Sequence, residues 1–232
     1  MRTTRTLALA AIALFALTAC DEDLVSPPRE GRIRAVHAIS NVANVDVLFG
    51  TVSYTTNLAY KTQNGYKATA IGATAVKFRK NGVATDLLSV NATVANAADY
   101  TVIALGTEAA PQSMVLTDDN SAPAAGKAKF RVAHAAAALG AFDVYILVDA
   151  TTIGNATPDK ANLTAKTASA YIAKDPGTYT VIFTDAGTKA PALIVQNVQV
   201  AAGNIRTVVA VEKAGGGQPL EGITLNDNLL TM

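Results

Sequence analysis

The hexad Arg32-Ile33-Arg34-Ala35-Val36-His37 returns later in the chain as Lys129-Phe130-Arg131-Val132-Ala133-His134. In both places an aspartate follows the histidine by nine positions, as Asp46 in Val45-Asp46-Val47-Leu48 and as Asp143 in Phe142-Asp143-Val144-Tyr145. Tyr66, Gly72, Phe78 and Gly82 keep the register of Tyr171, Gly177, Phe183 and Gly187. Tyr100-Thr101-Val102 falls opposite Arg206-Thr207-Val208, one residue out of step, and Asp119-Asn120 opposite Asp227-Asn228. Spacing preserved at this many positions reads as a tandem duplication, so one architecture has to serve both copies.

Within each copy the pattern is short, β-branched and interrupted by turns. Alternation runs through Val42-Ala43-Asn44-Val45-Asp46-Val47 and Thr178-Tyr179-Thr180-Val181-Ile182-Phe183, which is the period of half-buried strands. Asn81-Gly82, Pro176-Gly177, Ala186-Gly187 and Gly203-Asn204 supply reversals between them. No stretch after the first twenty residues holds helical spacing for three turns; Ala135 to Ala138 has room for one turn. Strands are expected near 32–37, 44–49, 66–71, 74–80, 84–90, 99–105 and 113–117, with counterparts in 128–230. About seven strands in about 100 residues is the scale of an immunoglobulin-like sandwich. The expected fold is therefore all-β: two tandem immunoglobulin-like antiparallel β-sandwich domains, 32–120 and 128–232, joined by a short linker at 121–127.

The N-terminus reads as an address. Arg2 and Arg5 precede an apolar run from Leu7 to Leu17, and small residues lead to Cys20, the order of a secretory signal. The run is too short for a membrane-spanning helix, which takes roughly 20 apolar residues. Leu17-Thr18-Ala19-Cys20 resembles the lipobox of bacterial lipoproteins. That resemblance implies a signal peptide at 1–19, a diacylglycerol on the Cys20 thiol, and an extended tether at 20–31 with two prolines. Cys20 is the one cysteine of the chain, so neither a disulfide nor a catalytic thiol is expected. Past residue 19 the chain has 17 basic and 18 acidic residues with no basic run, and so no electrostatic footprint for nucleic acid.

The motifs Ile33-Arg34-Ala35-Val36-His37-Ala38 with Val45-Asp46-Val47, and Phe130-Arg131-Val132-Ala133-His134-Ala135 with Phe142-Asp143-Val144-Tyr145, resemble the domain of unknown function 4397 family. Gly177-Thr178-Tyr179-Thr180-Val181 is similar to a later hairpin of that family. The resemblance covers nearly all of the chain after the signal. It implies an exported, often lipid-anchored bacterial protein built of β-sandwich repeats, and no activity is established for the family. The turns Ile39-Ser40-Asn41 and Ala136-Ala137-Ala138 lack the family's proline, and Ala75 stands where its first hairpin has tyrosine.

His37 and His134 are the only histidines. Pairing each with the aspartate nine residues on, Asp46 or Asp143, would make a general base. The structural alternative packs each ring at the sandwich edge, bonded to the next turn, with each aspartate capping its own turn. Duplication without a neighbouring nucleophile favours the structural alternative. Two histidines in separate copies do not make a zinc site. Asp118-Asp119-Asn120 and Asn226-Asp227-Asn228 lack the glycine and distal glutamate of an EF-hand and read as turns. Tyr54, Tyr60, Tyr66 and Tyr171 are stacking surfaces available for sugars in a chain without tryptophan, and glycines 215–217 read as a flexible loop. The expectation is a cell-envelope lipoprotein without cofactor or metal, held to a membrane by its N-terminal lipid. It would bind a protein or polymer, and the competing expectation is an envelope hydrolase using His37-Asp46 or His134-Asp143.

Overall fold

The structure is a computed structural model that describes residues 30–227. The expected signal peptide, Cys20, nearly all of the expected tether and Asn228 lie outside the described residues. The first half holds β1 (Glu30–Ile39), β2 (Asn44–Phe49), β3 (Val52–Ala59), β4 (Lys67–Ala70), β5 (Gly72–Lys80), β6 (Asp86–Val94), β7 (Asp99–Thr107) and β8 (Ala110–Asp118). The second holds β9 (Ala128–His134), β10 (Phe142–Leu147), a 3-10 helix (Ala150–Asn155), β11 (Lys160–Leu163), β12 (Thr167–Ala168), β13 (Ile172–Lys174), β14 (Gly177–Asp185), β15 (Pro191–Val200), β16 (Ile205–Val211) and β17 (Glu221–Asn226).

Four sheets result. In the first half β4-β1-β7-β8 faces β3-β2-β5-β6; in the second β12-β9-β16-β17, with β13 also on β9, faces β11-β10-β14-β15. The pairing is antiparallel except between β1 and β7 and between β9 and β16, which run parallel. The sheets are thus not wholly antiparallel as expected. The strand that opens each half is separated from its parallel neighbour by a long excursion through the opposing sheet, a connection that parallel pairing requires.

The expected strands lie within or overlap observed ones. Val52–Ala59 is an addition: it is an edge strand whose residues are mostly exposed, Leu58 being the one buried, so it lacks the apolar alternation that marks a half-buried strand. The six-residue 3-10 helix is a second addition, with Asp149 accepting from the Thr151 N–H at its start. Gly82 (φ 75°) turns β5 into β6, whereas Gly177 is the first residue of β14.

Each half has its own core. Ile33, Ala35 and Ile39 pack with Val45, Val47, Phe78 and Val102 in the first, and Phe130, Val132, Phe142, Val144, Phe183 and Val208 pack in the second. A third cluster lies between the halves, where Val36, Ala38, Ile103, Leu105 and Met114 meet Ala133, Ala135, Val209, Val211, Ile223 and Leu225. The sheets containing β1 and β9 are therefore buried on both faces, and the molecule is a stack of four sheets. Uninterrupted apolar runs such as Val102 to Leu105 and Val208 to Val211 are what two-sided burial demands.

Candidate functional site

His37 continues the inward-facing series Ile33, Ala35 of β1 and is fully buried. The Ile39 N–H donates to its Nδ1 at 3.3 Å, which leaves the proton on Nε2 to donate to the Val42 carbonyl at 2.9 Å. His134 repeats the arrangement, with the Ala136 N–H on Nδ1 at 3.3 Å and Nε2 2.8 Å from the Gly140 carbonyl. Each ring fastens the end of a strand to the reversal that follows. Tyr60 meets His37 edge-on with centroids 5.8 Å apart, and Phe142 lies 4.5 Å from His134. Burial pushes the His37 imidazole down to about 4 and lowers that of His134, outweighing the carbonyl bonds that pull the other way.

The aspartates have other partners. Asp46 accepts from the Asn57 N–H at 2.9 Å, the Asn81 amide at 2.8 Å and the Gly82 N–H at 3.2 Å. Asp143 accepts from the N–H groups of Asn162 at 2.8 Å and Gly187 at 2.9 Å. Asn57 (φ 58°) and Asn162 (φ 50°) stand in the left-handed region, so each aspartate pins an irregular point of the neighbouring strand and a distant hairpin. This is wider than capping its own turn. Burial raises the Asp46 carboxyl but its hydrogen bonds outweigh it, and the Asn162 and Gly187 bonds lead the lowering of Asp143. Both nitrogens of each imidazole are engaged by backbone, and the hydrogen bonds of Asp46 and Asp143 run to a neighbouring strand and a hairpin. Neither aspartate is among the hydrogen-bond partners of its histidine.

A buried polar constellation lies between the halves. Arg34, fully buried on the other face of β1, donates from Nη2 to Asp227 at 2.5 Å and from Nε to Thr101 Oγ1 at 2.7 Å. Arg131 on β9 donates from Nη2 to Asp118 at 2.5 Å and from Nε to Thr207 Oγ1 at 3.0 Å. Thr101 then donates to Asp118 at 2.6 Å, and Thr207 to Asp227 at 2.5 Å. Tyr66 and Tyr171 close the pattern, donating to Asp118 at 2.7 Å and Asp227 at 3.3 Å, with Arg34 and Arg131 over their rings at 4.7 Å and 4.8 Å. Each half supplies an arginine, a threonine, a tyrosine and an aspartate, and each arginine reaches the other half's aspartate. Burial lowers the Arg34 guanidinium, but Asp227 and the other acids around it outweigh this and raise it.

Strand pairing fixes the equivalence of the two acids. Tyr100 pairs with Thr117 as Arg206 pairs with Asn226, so the match of Asp227 is Asp118, one residue before the Asp119 suggested by sequence spacing. Asp118 is the last residue of β8 and Asp227 stands in the turn after β17, and both are buried and bonded to arginine. Asp119 is an exposed partner of Lys129, whose bond leads in lowering its carboxyl to about 2. Arg34 and Arg131 stood in the repeated hexads, but nothing local tells a buried arginine from a solvated one. The recurrence of Arg, Tyr, Thr and Asp in one order was the available signal.

The four tyrosines read as sugar platforms are engaged. Tyr54 stacks on Phe49 at 4.4 Å, has Lys67 over its ring and bonds the Gly65 carbonyl; Tyr60 bonds the Glu212 carbonyl across the halves. Tyr66 and Tyr171 belong to the network just described. The triglycine segment is pinned: the Gly215 N–H donates to the Ser40 carbonyl at 2.6 Å and the Gly217 N–H to Glu212 at 3.1 Å. An open cleft of about 320 Å³ beside Asp46 is lined by Leu48, Ser53, Thr56, Arg79 and Val83 and contains no histidine. Among the described residues no three His, Cys, Asp or Glu side chains gather as a metal site.

Residues 31–145 match the family model for DUF4397, a domain of unknown function. The match takes in the whole first half and the opening strands of the second, ending at Tyr145 in β10, and so covers less of the chain than the paired motifs implied. No curated protein matches the chain.

Proposed function

We propose, from the match of residues 31–145 to the DUF4397 family model, that this chain is an exported lipoprotein whose two halves are tandem immunoglobulin-like copies acting as a non-enzymatic binding or structural module of the cell envelope. The observation that carries the non-enzymatic reading is the saturation of its duplicated polar residues. His37 and His134 are bonded to backbone on both nitrogens, and Asp46 and Asp143 each tie a neighbouring strand to a hairpin. A general base needs an imidazole nitrogen free to take a proton from substrate. Loops and sheet edges remain as the places where such a module binds a protein or polymer.

The address rests on Leu17-Thr18-Ala19-Cys20 behind its apolar run. Acyl chains contribute about 0.8 kcal/mol per buried methylene, so two or three chains on Cys20 hold the module on a membrane. Metabolic labelling of expressing bacterial cells with an alkyne fatty acid tests this. The label is expected on the wild-type protein in the membrane fraction and absent from Cys20→Ala, which leaves the membrane. A labelled, membrane-bound Cys20→Ala protein overturns the reading.

A further inference from the structure

The two halves share one polarity. In the first, Glu30 pairs with Ala70, Arg32 with Asp99, and Asp99 with Asp118, so the start of β1 and the β4–β5 corner lie at one end. In the second, Ala128 pairs with Lys174 and Lys129 with Ile205, placing the starts of β9 and β14 at the corresponding end. The pairs Arg34–Asp227 and Arg131–Asp118 bring these ends together, while the Gly215–Ser40 bond and the Lys61–Glu221 pair join the opposite ends.

Exposed aliphatic side chains are unevenly divided between the ends. Ile71, 43% exposed, is the corner between β4 and β5. Val52, 69% exposed, follows the β2–β3 reversal and shares a cleft with Ala68 and Thr69, which pair with Arg32 and Gly31. Val148, 73% exposed, comes directly after Leu147, which pairs with Thr180 near the start of β14. The opposite end has Val83, and the remaining two, Val115 and Ile194, lie within edge strands β8 and β15. Single exposed valines need no explanation, but their gathering at one end does.

That end is also where the described chain begins, at Glu30. Glu30 follows Cys20 by ten positions, a reach of at most about 35 Å. A body confined so closely to a surface meets it at an effective concentration on the order of millimolar, so a weak contact is populated. Most of the charge at this end is paired, Arg32 with Asp99, Lys127 with Asp175, Lys129 with Asp119 and Lys174 with Asp159, and Lys67, in the cleft that Val52 lines, lies over the Tyr54 ring with the opposite charge of Glu30 at the same end. The contact is accordingly aliphatic, without preference for anionic lipid.

We propose that this end of the stack rests on a lipid surface, with Val52, Ile71 and Val148 entering the interfacial layer of the bilayer that holds the acylated Cys20. The proposal rests on the lipid-anchor reading above. It turns the opposite end, with the Ser40 reversal and the 212–220 loop, away from the membrane.

The test uses the full lipidated protein in phosphatidylcholine vesicles. Val52→Cys, Ile71→Cys, Val148→Cys and, for the opposite end, Val83→Cys each carry a fluorophore on the introduced thiol, Cys20 being acylated. Lipids brominated in the upper acyl chain are expected to quench the first three and spare the label at position 83, equally at low and high salt. Vesicle flotation with acyl label on Cys20, but no more quenching at the three sites than at position 83, overturns the proposal and leaves the anchor intact. Protein that carries no acyl label and does not float removes the anchor reading, and the proposal falls with it.

Discussion

His37 and His134 are held neutral by burial, and this couples folding to pH. An imidazole whose pKa is lower in the folded protein than in the unfolded chain lets the unfolded chain take up the extra proton first. The stability it contributes is complete above about pH 6.5 and is lost as pH falls below that. For His37, pushed down to about 4, the loss by pH 4 amounts to about 3 kcal/mol at most, and His134 adds in the same direction. Asp46 and Asp143, whose carboxyls lie below their usual range, withdraw their share only as pH falls through the carboxylate range. Urea denaturation from pH 7 to pH 4 is expected to give a steadily falling unfolding free energy, with a shallower fall in His37→Gln; identical slopes in the two proteins would exclude His37 as the source. The burial of both rings followed from the i, i+2 series Ile33, Ala35, His37 and Phe130, Val132, His134. The bonds made by Asp46 and Asp143 did not, because their partners Asn57, Gly82, Asn162 and Gly187 lie on strands and hairpins whose register the sequence leaves unstated.

At the scale of the element, close approach governs where strands can sit. A Cβ on Gly31 would lie 2.6 Å from the Ala95 carbonyl oxygen and 2.7 Å from that of Ala98, both fixed by the turn that leads into β7. Because backbone has to shift to admit the methyl, Gly31→Ala is expected to cost about 1–3 kcal/mol and to lower the urea midpoint without changing the slope; an unchanged midpoint would mean the turn yields freely. Buried strands were legible from alternation and turn residues. The edge strand Val52–Ala59 was not, since pairing along β2 holds it in place and little of its own side-chain burial does. The triglycine loop misled for a related reason: its backbone N–H groups bond to Ser40 and Glu212, partners that composition does not display.

For the whole molecule the consequence of the third cluster is that the halves unfold together. Separating them exposes Val36, Ile103, Leu105, Val209 and Val211 at once and strands two buried ion pairs. Removing one partner of such a pair leaves an uncompensated charge and costs about 3–5 kcal/mol, whereas replacing both with apolar residues is far milder. Circular dichroism and tyrosine fluorescence are expected to report one coincident transition. Arg34→Met is expected to lose stability on that scale and to recover much of it in Arg34→Met/Asp227→Leu. Two resolved transitions in the wild type would contradict the coupling. The sequence displayed two similar halves and a short linker, but their relation lay in the second face of β1, β7, β9 and β16, where arginine and threonine interrupt the apolar series and read as solvated. The parallel pairing of β1 with β7 has a mechanical side as well. The strand nearest the N-terminus is hydrogen-bonded through eight partner positions to a neighbour running the same way. Tension entering at Glu30 against a load held at the opposite end acts along the strand, so the rungs must shear together instead of unzipping one at a time.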